Sequence, residues 1–385
     1  MAFFRWGKRR KGRLLLLTAL LVAVGVVSFG CVEGLQPVGW SGGVVSDGTL
    51  YVGSKEGRLV AINLTDESRQ WSEPLKAVRA AGGFGCAPTL GGCESAPSGV
   101  AIYGTPSVYN DLVYFTGYNG KVYAFNAGTL ATRWVYPRED NLKPIVAGTV
   151  VAQDKVFFGG SDGIVYALDA ATGDPQWQFA TGDRVWAAPA ADGDTLFVGS
   201  FDNNLYALNM ADGSLKWSFE AEGALASSPL VQDGVVYVGS LDRHLYAVNE
   251  ADGSLKWKFM GSNWFWAKPV VYGGTVYTGD LEGLVYALRA DNGARLAEFD
   301  LKSPAASEPV VVGSSVIVAS KKGVVYAIDT ELMEMKMLAD VGGDVYGPLC
   351  ASDGIVYIHT PDLTLHRINA ITGAVLRTIS LESGQ

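Results

Sequence analysis

Ser161 lies in a stretch of the sequence that matches the nucleophile motif of many hydrolases. Gly159-Gly160-Ser161-Asp162-Gly163 fits the pattern G-x-S-x-G, which in those enzymes places the serine on a sharp turn between a strand and a helix. Here the flanking residues predict two strands joined by a hairpin, and serines recur within one position of this place at Ser200 and Ser240. We interpret the match as accidental and predict no catalytic residue.

The three histidines, His244, His359 and His366, are not spaced with carboxylates or cysteines as a base or a metal site requires. We interpret each as a turn or strand residue. Asp192-Gly193-Asp194 resembles the start of a calcium loop, but the remaining oxygen ligands of such a loop are missing from the sequence. The sequence therefore predicts no metal site.

The elements that carry these residues belong to a repeat. A phrase of the form Tyr/Phe-Val-Gly-Ser-x-Asp-Gly-x-Leu-Tyr-Ala-Leu recurs with its glycine at spacings of 42, 40, 40 and 40 residues in the five clearest copies. Three more copies extend the series, and the marker position in all eight is occupied by Gly53, Gly117, Gly159, Gly199, Gly239, Gly279, Ala319 and His359. The chain therefore contains eight repeats.

One repeat, residues 227–259, predicts four short strands separated by turn residues. Asp233-Gly234 and Ala251-Asp252-Gly253 tolerate positive φ or bond their own backbone, as tight hairpins need. The predicted strands are Ser228–Gln232, Val235–Gly239, Leu245–Asn249 and Leu255–Phe259. Period, strand number and Tyr/Val-rich strands are typical of a propeller blade. We predict an all-β fold, an eight-bladed β-propeller of four-stranded antiparallel blades.

Five repeats carry a tryptophan 17 or 18 residues after the marker position: Trp71, Trp134, Trp177, Trp217 and Trp257. A blade cannot bury both of its faces alone, so a tryptophan repeated at one position is suited to filling the gap to a neighbouring blade. We predict a structural docking role for all five. Ala297, Met337 and Arg377 take this position in the last three repeats, which predicts softer packing there.

A second recurring position lies thirteen residues before the marker, in the predicted innermost strand. It is occupied by Trp40, Gly104, Val146, Trp186, Ala226, Trp266, Ala306 and Tyr346. The four large aromatic side chains either plug the central hole of a wide ring or bind a ligand in the channel or at its mouth. Both interpretations are open at this point.

The connections that lead into these strands form one rim of a propeller. Arg184, Asn263 and Trp264 lie in them. An exposed tryptophan on a rim is costly unless a partner covers it. We therefore add these residues to the channel aromatics Trp40, Trp186, Trp266 and Tyr346 as candidate channel or rim binding residues, with Trp264 as the leading exposed contact.

The stretch from Ala167 to Trp177, Ala-Leu-Asp-Ala-Ala-Thr-Gly-Asp-Pro-Gln-Trp, resembles the tryptophan-docking motif of the PQQ-like repeat family. The stretches ending at Trp217 and Trp257 are similar. The resemblance covers nearly everything after residue 40. It implies the propeller fold, but the family includes both quinoprotein dehydrogenases and non-enzymatic scaffolds.

The chain departs from the quinoprotein dehydrogenases. Those enzymes are longer proteins in which adjacent cysteines pack on the quinone and a Glu/Asn/Asp set holds calcium. In this chain no two of the four cysteines are adjacent. We therefore predict neither PQQ nor calcium as a cofactor and no enzyme activity. In size and plan the chain is more similar to the BamB-like scaffolds, lipoprotein subunits of the outer-membrane β-barrel assembly machinery.

The first residues predict export. Six basic and no acidic residues occur in residues 1–13, and an apolar run follows from Leu14 to Phe29. Ser28-Phe29-Gly30-Cys31 resembles a lipobox, in which Cys31 would be lipidated; an uncleaved anchor and ordinary cleavage are the alternatives. We assign residues 1–31 to the signal or anchor, 32–39 to a short tether and 40–382 to the propeller. All three alternatives place the propeller outside the cytoplasm, next to a membrane.

Without the six basic leader residues the chain has 24 basic and 39 acidic residues, a net charge of about −15. Such a surface repels phosphates, so nucleic acid is not an expected partner. In an oxidising compartment Cys86 and Cys93 are expected to close a small loop as a disulfide, with a metal site as the weaker alternative. Cys350 is expected to be a buried apolar residue.

An insertion at residues 72–105 interrupts the array and is a second candidate partner surface or a disulfide-pinned decoration. Ring closure is also open: the last blade packs directly on the first, or residues 33–39 add a strand to the last blade.

We predict a non-catalytic, membrane-tethered, extracytoplasmic propeller that binds protein partners, with a BamB-like role in outer-membrane protein assembly. The alternative is a propeller that binds a small ligand or quinone, as a receptor or a degenerate PQQ-dependent dehydrogenase.

Overall fold

The chain folds into eight four-stranded sheets. The computed structural model describes residues 39, 41–54, 56–75 and 100–382. In each sheet the strands pair antiparallel in chain order, so that every sheet is a meander, which we number as blades one to eight. The innermost strands of most neighbouring blades contact one another, including those of blades one and eight. The described residues thus confirm the predicted eight-bladed all-β propeller.

The first four blades end at residue 220. Blades one and two comprise β1 Gly43–Ser46, β2 Thr49–Gly53, β3 Leu59–Asn63, β4 Arg69–Trp71, β5 Ser107–Tyr109, β6 Leu112–Gly117, β7 Lys121–Asn126 and β8 Thr132–Tyr136. Blades three and four comprise β9 Val150–Ala152, β10 Lys155–Gly159, β11 Ile164–Asp169, β12 Pro175–Ala180, β13 Ala190–Asp192, β14 Thr195–Gly199, β15 Asn204–Asn209 and β16 Leu215–Glu220.

The last four blades repeat the same plan. Blades five and six comprise β17 Leu230–Gln232, β18 Val235–Gly239, β19 His244–Asn249, β20 Leu255–Met260, β21 Val270–Tyr272, β22 Thr275–Gly279, β23 Leu284–Arg289 and β24 Arg295–Asp300. Blades seven and eight comprise β25 Val310–Val312, β26 Ser315–Ala319, β27 Val324–Asp329, β28 Glu334–Asp340, β29 Cys350–Ser352, β30 Ile355–Thr360, β31 Thr364–Asn369 and β32 Ile379–Ser380. No helix within these described ranges has the length and apolar character needed to cross a membrane.

The strands predicted for residues 227–259 agree with the structure except at the first one. The observed innermost strand begins at Leu230 rather than Ser228. Pro229 has no backbone N–H to give to a ladder, so regular pairing starts after it. The other three strands begin or end within one residue of their predicted limits.

The recurring phrase is explained by the hairpin that joins the second and third strands of a blade. In blade five Asp242 accepts hydrogen bonds from the backbone N–H of His244 at 2.8 Å and from the hydroxyl of Tyr246 at 2.8 Å. Equivalent bonds link Asp202 with Tyr206 and Asp162 with Tyr166 in the two preceding blades. Burial raises the pKa of these tyrosines, and the aspartate adds to the shift. The hydroxyl therefore stays protonated and holds the turn onto the strand.

The hydrophobic core is divided among the eight junctions between blades. In β18 Val236 and Val238 pack toward blade four, whereas Val235 and Tyr237 pack toward blade six. Successive side chains of a strand point to opposite faces of the sheet, so one apolar strand supplies two junctions. This explains why the second strands are continuously apolar, as strands covered on both faces are.

Blade eight packs directly on blade one. The shared cluster includes Val52 and Ile62 from blade one together with Leu365, Ile379 and Leu381. Polar contacts reinforce this junction: the Arg69 guanidinium donates to the Ser380 carbonyl at 2.7 Å, and Glu67 pairs with Arg367. Both blades are complete from consecutive strands. The alternative closure, in which residues 33–39 add a strand to the last blade, lies outside the described residues except for Gly39.

Two histidines are buried on the blade-eight side of this junction. His359 Nδ1 lies 3.3 Å from the Ser41 carbonyl, and His366 Nε2 lies 3.1 Å from the Thr360 hydroxyl. Desolvation lowers the pKa of both rings, opposed at each by the nearby Asp362 carboxylate. Both imidazoles are therefore held neutral in the fold.

Acidification is expected to destabilise the ring through these histidines. A folded pKa below the ordinary value of about 6.5 means that the unfolded chain binds more protons as the pH falls below that value. The free energy of unfolding should decrease between pH 7 and 5, as followed by denaturant titration. A His359→Gln, His366→Gln variant should lose much of this slope; an unchanged slope in the double variant would contradict the assignment.

Candidate functional site

Four of the predicted docking tryptophans join each blade to the one that follows it. Each ring lies on the glycine of the next blade's outer turn: an added Cβ at Gly173, Gly213, Gly253 or Gly293 would lie 2.6 or 2.7 Å from ring atoms. Each indole N–H donates to a carbonyl beside that glycine, from Trp134 to Ala170 at 2.9 Å, Trp177 to Met210 at 3.1 Å, Trp217 to Glu250 at 2.9 Å and Trp257 to Ala290 at 3.0 Å. Only glycine leaves room for this contact.

Trp71 lies on a different neighbour. Its indole N–H donates to the Leu381 carbonyl of blade eight at 3.4 Å. In blades two to six the third and fourth strands contain a bulge, which in blade three places Trp177 opposite Ala167. The described pairing of blade one shows no bulge and places Trp71 opposite Val60. A shift of one residue turns a side chain to the other face of a strand, so Trp71 closes the ring.

The three replacements for tryptophan have different surroundings. Ala297 keeps the common register opposite Ala287. In blade seven the bulge lies elsewhere, and Met337 is 58% exposed. Arg377 is exposed and lies 3.6 Å from Glu67 of blade one.

The second recurring position lines a central channel. The cavity at the channel has a volume of about 380 Å³. Seven of the eight predicted positions contribute to its wall: Gly104, Val146, Trp186, Ala226, Trp266, Ala306 and Tyr346. Trp40, the eighth, lies outside the described residues. The aromatic side chains line the channel and leave room within it.

The channel wall carries two opposite charges that the sequence analysis did not select. Lys268 follows Trp266 by two residues, and Glu308 takes the equivalent place in the next blade. Of the channel-lining residues that the structure describes, these two alone are charged. Desolvation raises the pKa of the Glu308 carboxyl, and the Lys268 ammonium opposes that shift. The sequence did contain a signal for this pair. At the position two residues after the channel-lining one, the other repeats have small residues or proline, whereas these two repeats have a charged residue.

At the rim the Arg184 side chain is held between two aromatic rings. Its guanidinium carbon lies 4.4 Å from the ring centroid of Trp186 and 4.4 Å from that of Phe201. The two rings meet edge to face with centroids 4.9 Å apart. This arrangement fixes a cation at the rim by cation–π attraction. Phe201, in the adjacent hairpin, was missed because it stands at a turn position that varies between repeats.

Trp264 is 47% exposed on the same side of the propeller. Its loop is positioned by Asp280, a fully buried carboxylate. Asp280 accepts the backbone N–H groups of Ser262 and Asn263, each at 3.0 Å. The Trp264 carbonyl in turn accepts the N–H of Leu281 at 3.0 Å. The rim tryptophan is therefore presented by a well-bonded loop.

The remaining candidates have structural partners. Ser161 lies in a hairpin turn, where its hydroxyl donates to the Pro144 carbonyl at 2.6 Å and accepts the Trp186 indole N–H at 2.9 Å. Cys350 is a free thiol in β29, and burial raises its pKa to about 11. Cys31, Cys86 and Cys93 lie outside the described residues. Among those that are described, no group of three His, Cys, Asp or Glu side chains could hold a metal ion.

The insertion at residues 72–105 is anchored at both ends. Leu75 near one end and Val100 and Ile102 near the other are buried in the cluster between blades one and two; residues 76–99 lie outside the described residues. The ends of the insertion thus belong to the core.

The fold and its channel define the class of protein as a propeller with blades joined by tryptophan docking. The family model described as outer membrane protein assembly factor BamB matches residues 23–184 and 161–379. The chain belongs to this PQQ-like family. No curated protein matches it significantly.

Two solved structures share the fold. The crystal structure of BamB from Moraxella catarrhalis has a TM-score of 0.67 and 20% identity, covering 83% of this chain and 93% of that one. The computationally designed Ika8 protein has a TM-score of 0.66 and 14% identity, covering 90% and 98%. At these identities the likeness concerns the fold.

The residues present do not fit a calcium-bound quinone. Calcium takes roughly six to eight oxygen ligands. The described channel lining offers one carboxylate, that of Glu308, and its neighbour in the wall is the cation Lys268. The positive charge opposes a second cation at this place.

Proposed function

We propose that this protein is a non-catalytic scaffold that binds protein partners through the rim carrying Arg184 and Trp264. The partners proposed are components of a membrane-protein assembly complex, as the description of the family model suggests. We further propose that the propeller lies outside the cytoplasm, in the periplasm or at the outer cell surface, and is tethered to a membrane through residues 1–31. The basic and apolar leader supports this location.

The observation that carries the proposal is the exposed Trp264 on a rigid loop. An indole exposed by 47% is a large apolar surface to leave in water. Tryptophan and arginine are the residues that most often dominate the binding energy of protein interfaces. Here a rigid tryptophan and an arginine held between two rings occupy the same rim. Preorganised side chains lose little entropy on binding.

The geometry also supports the absence of catalysis. Ser161 is occupied by structural hydrogen bonds to Pro144 and Trp186. The described channel lining lacks an oxygen set for calcium. The net charge of about −15 without the leader favours protein or cationic partners over nucleic acid.

The rim proposal is tested by crosslinking and pull-down of the natively expressed protein from its own membranes. A Trp264→Ala, Arg184→Ala variant is expected to recover at least about tenfold less of any specific partner, since each rim side chain of this type contributes on the order of 1–2 kcal/mol or more. The single variant Trp264→Ala should keep the melting temperature of the parent, because Trp264 is exposed, and should already recover less partner.

The matched control is Met337→Ala, which removes an equally exposed apolar side chain, 58% exposed, from the outer edge of blade seven. It should retain all partners. Equal recovery of every partner by the rim variant and the parent would overturn the rim assignment. A pull-down free of specific proteins in both would overturn the scaffold function itself.

A further inference from the structure

Lys268 and Glu308 place two opposite charges on the channel wall without a side-chain hydrogen bond to a described residue. Lys268 and Glu308 stand at one repeat position in adjacent blades, at the entry to β21 and β25. Neither side chain makes a hydrogen bond or a close ion pair with a described residue, although the Lys268 ammonium acts on the Glu308 carboxylate at longer range. Both side chains are half-buried and line the channel. Partial removal from water is costly for a charge that has no close partner.

The same channel offers an apolar surface beside the charges. Trp186, Trp266 and Tyr346 line the cavity of about 380 Å³. A second hollow of about 350 Å³ adjoins it at the mouth, where Trp266 and Tyr346 are joined by Leu281 and Pro304. The Lys321 ammonium lies over the Tyr346 ring, 5.3 Å from its centroid. Aromatic walls beside a few convergent polar groups are typical of small-molecule sites.

We propose that the channel is a binding site for a small zwitterion with an aromatic or apolar side chain, such as an α-amino acid or a dipeptide. The ligand ammonium binds Glu308, its carboxylate binds Lys268, and its side chain packs against Trp266 and Tyr346. Such a ligand brings a close ionic partner to each of the two wall charges. This proposal is independent of the rim function and concerns a different surface.

Ligands of other charge fit less well. An anion alone satisfies Lys268 but is repelled by Glu308, and a cation alone has the opposite difficulty. A neutral sugar leaves both charges without an ionic partner. The cavity volume of about 380 Å³ lies within the range of ordinary ligand pockets and suits a ligand of the size of an amino acid or a dipeptide.

The test is isothermal titration of the full-length protein in detergent at pH 8, a pH that favours ionised Glu308. The probes are L-phenylalanine and L-phenylalanylglycine. Phenethylamine, which lacks the carboxylate, and 3-phenylpropionate, which lacks the ammonium, are the comparison ligands. At least one zwitterion should bind saturably, and both comparison ligands should bind at least about tenfold more weakly.

Variants that remove one charge at a time test which end of the ligand each channel residue binds. Glu308→Gln should weaken binding of the zwitterion and of phenethylamine by about tenfold, without weakening 3-phenylpropionate, because the repulsion of that anion by Glu308 is removed. Lys268→Met should weaken binding of the zwitterion and of 3-phenylpropionate by about tenfold, without weakening phenethylamine. Lys256→Met, at an exposed position on β20, is the control and should change nothing. Unchanged far-UV circular dichroism shows that each variant is folded. Absence of saturable binding for both zwitterions, or equal binding by the two channel variants and the parent, would overturn the proposal.

Discussion

Replacement of Trp257 by alanine is expected to lower the free energy of unfolding by about 3–5 kcal/mol. The side chain is only 8% exposed, and its ring packs on Gly293 of the next blade and lies 5.8 Å from the Tyr237 ring. Alanine would leave a cavity at the junction of blades five and six. It would also leave the Ala290 carbonyl without the indole N–H that donates to it at 3.0 Å. Guanidinium denaturation of the parent and the variant measures the loss.

The control for this prediction is Met337→Ala, at the equivalent repeat position in blade seven. Because Met337 is 58% exposed, its removal should change the free energy of unfolding by less than about 0.5 kcal/mol. Similar decreases in the free energy of unfolding for the two variants would show that Trp257 does not stabilise the junction between blades five and six. A ring closed on itself unfolds as a unit only if every junction holds, so a weakened junction should also broaden the transition.

Asp280→Ala is expected to have a comparable effect for a different reason, a loss of about 3–5 kcal/mol. The carboxylate is fully buried and organises the hairpin and the rim loop at the same time. It accepts hydrogen bonds at 2.9 to 3.1 Å from the N–H groups of Ser262, Asn263, Glu282, Gly283 and Leu284 and from the hydroxyl of Tyr286. Alanine would remove the acceptor that these donors share, and the N–H groups of Asn263 and Leu284 would lose the acceptor that the structure shows for them.

The matched control is Ser240→Ala, the corresponding position of blade five. The Ser240 hydroxyl lies near the carbonyls of Gly223 and Ala224 and accepts the N–H of Asp242 at 3.1 Å. Its loss should cost about 1 kcal/mol. Since Asp280 also holds the loop of Trp264, Asp280→Ala should reduce partner recovery in the pull-down. Full stability of the variant would refute the role given to this carboxylate.

Much of the candidate site follows from the repeat. The position thirteen residues before the marker identified the channel wall, and the described members of that series all line it. The rim loops were located in the same way. The choice of Trp264 over its neighbours rested on residue type, and the structure adds its exposure and the support from Asp280.

The sequence by itself determined the number of blades, their four strands and the positions of their turns. These properties are local: they depend on turn residues such as Asp233-Gly234 and on alternation within strands only a few residues long. The Asp–Tyr contact that holds each hairpin also spans only four residues in blades three to five, as between Asp242 and Tyr246.

The tertiary structure alone decided which neighbour each tryptophan contacts and which charges share a wall. Trp71 differs from Trp177 because its strand pair shows no bulge, a one-residue difference in register that spacing along the chain does not reveal. Lys268 and Glu308 line one channel because adjacent blades place equivalent residues on it. Contacts of this kind join residues a whole repeat apart, and their geometry is fixed only when the ring closes.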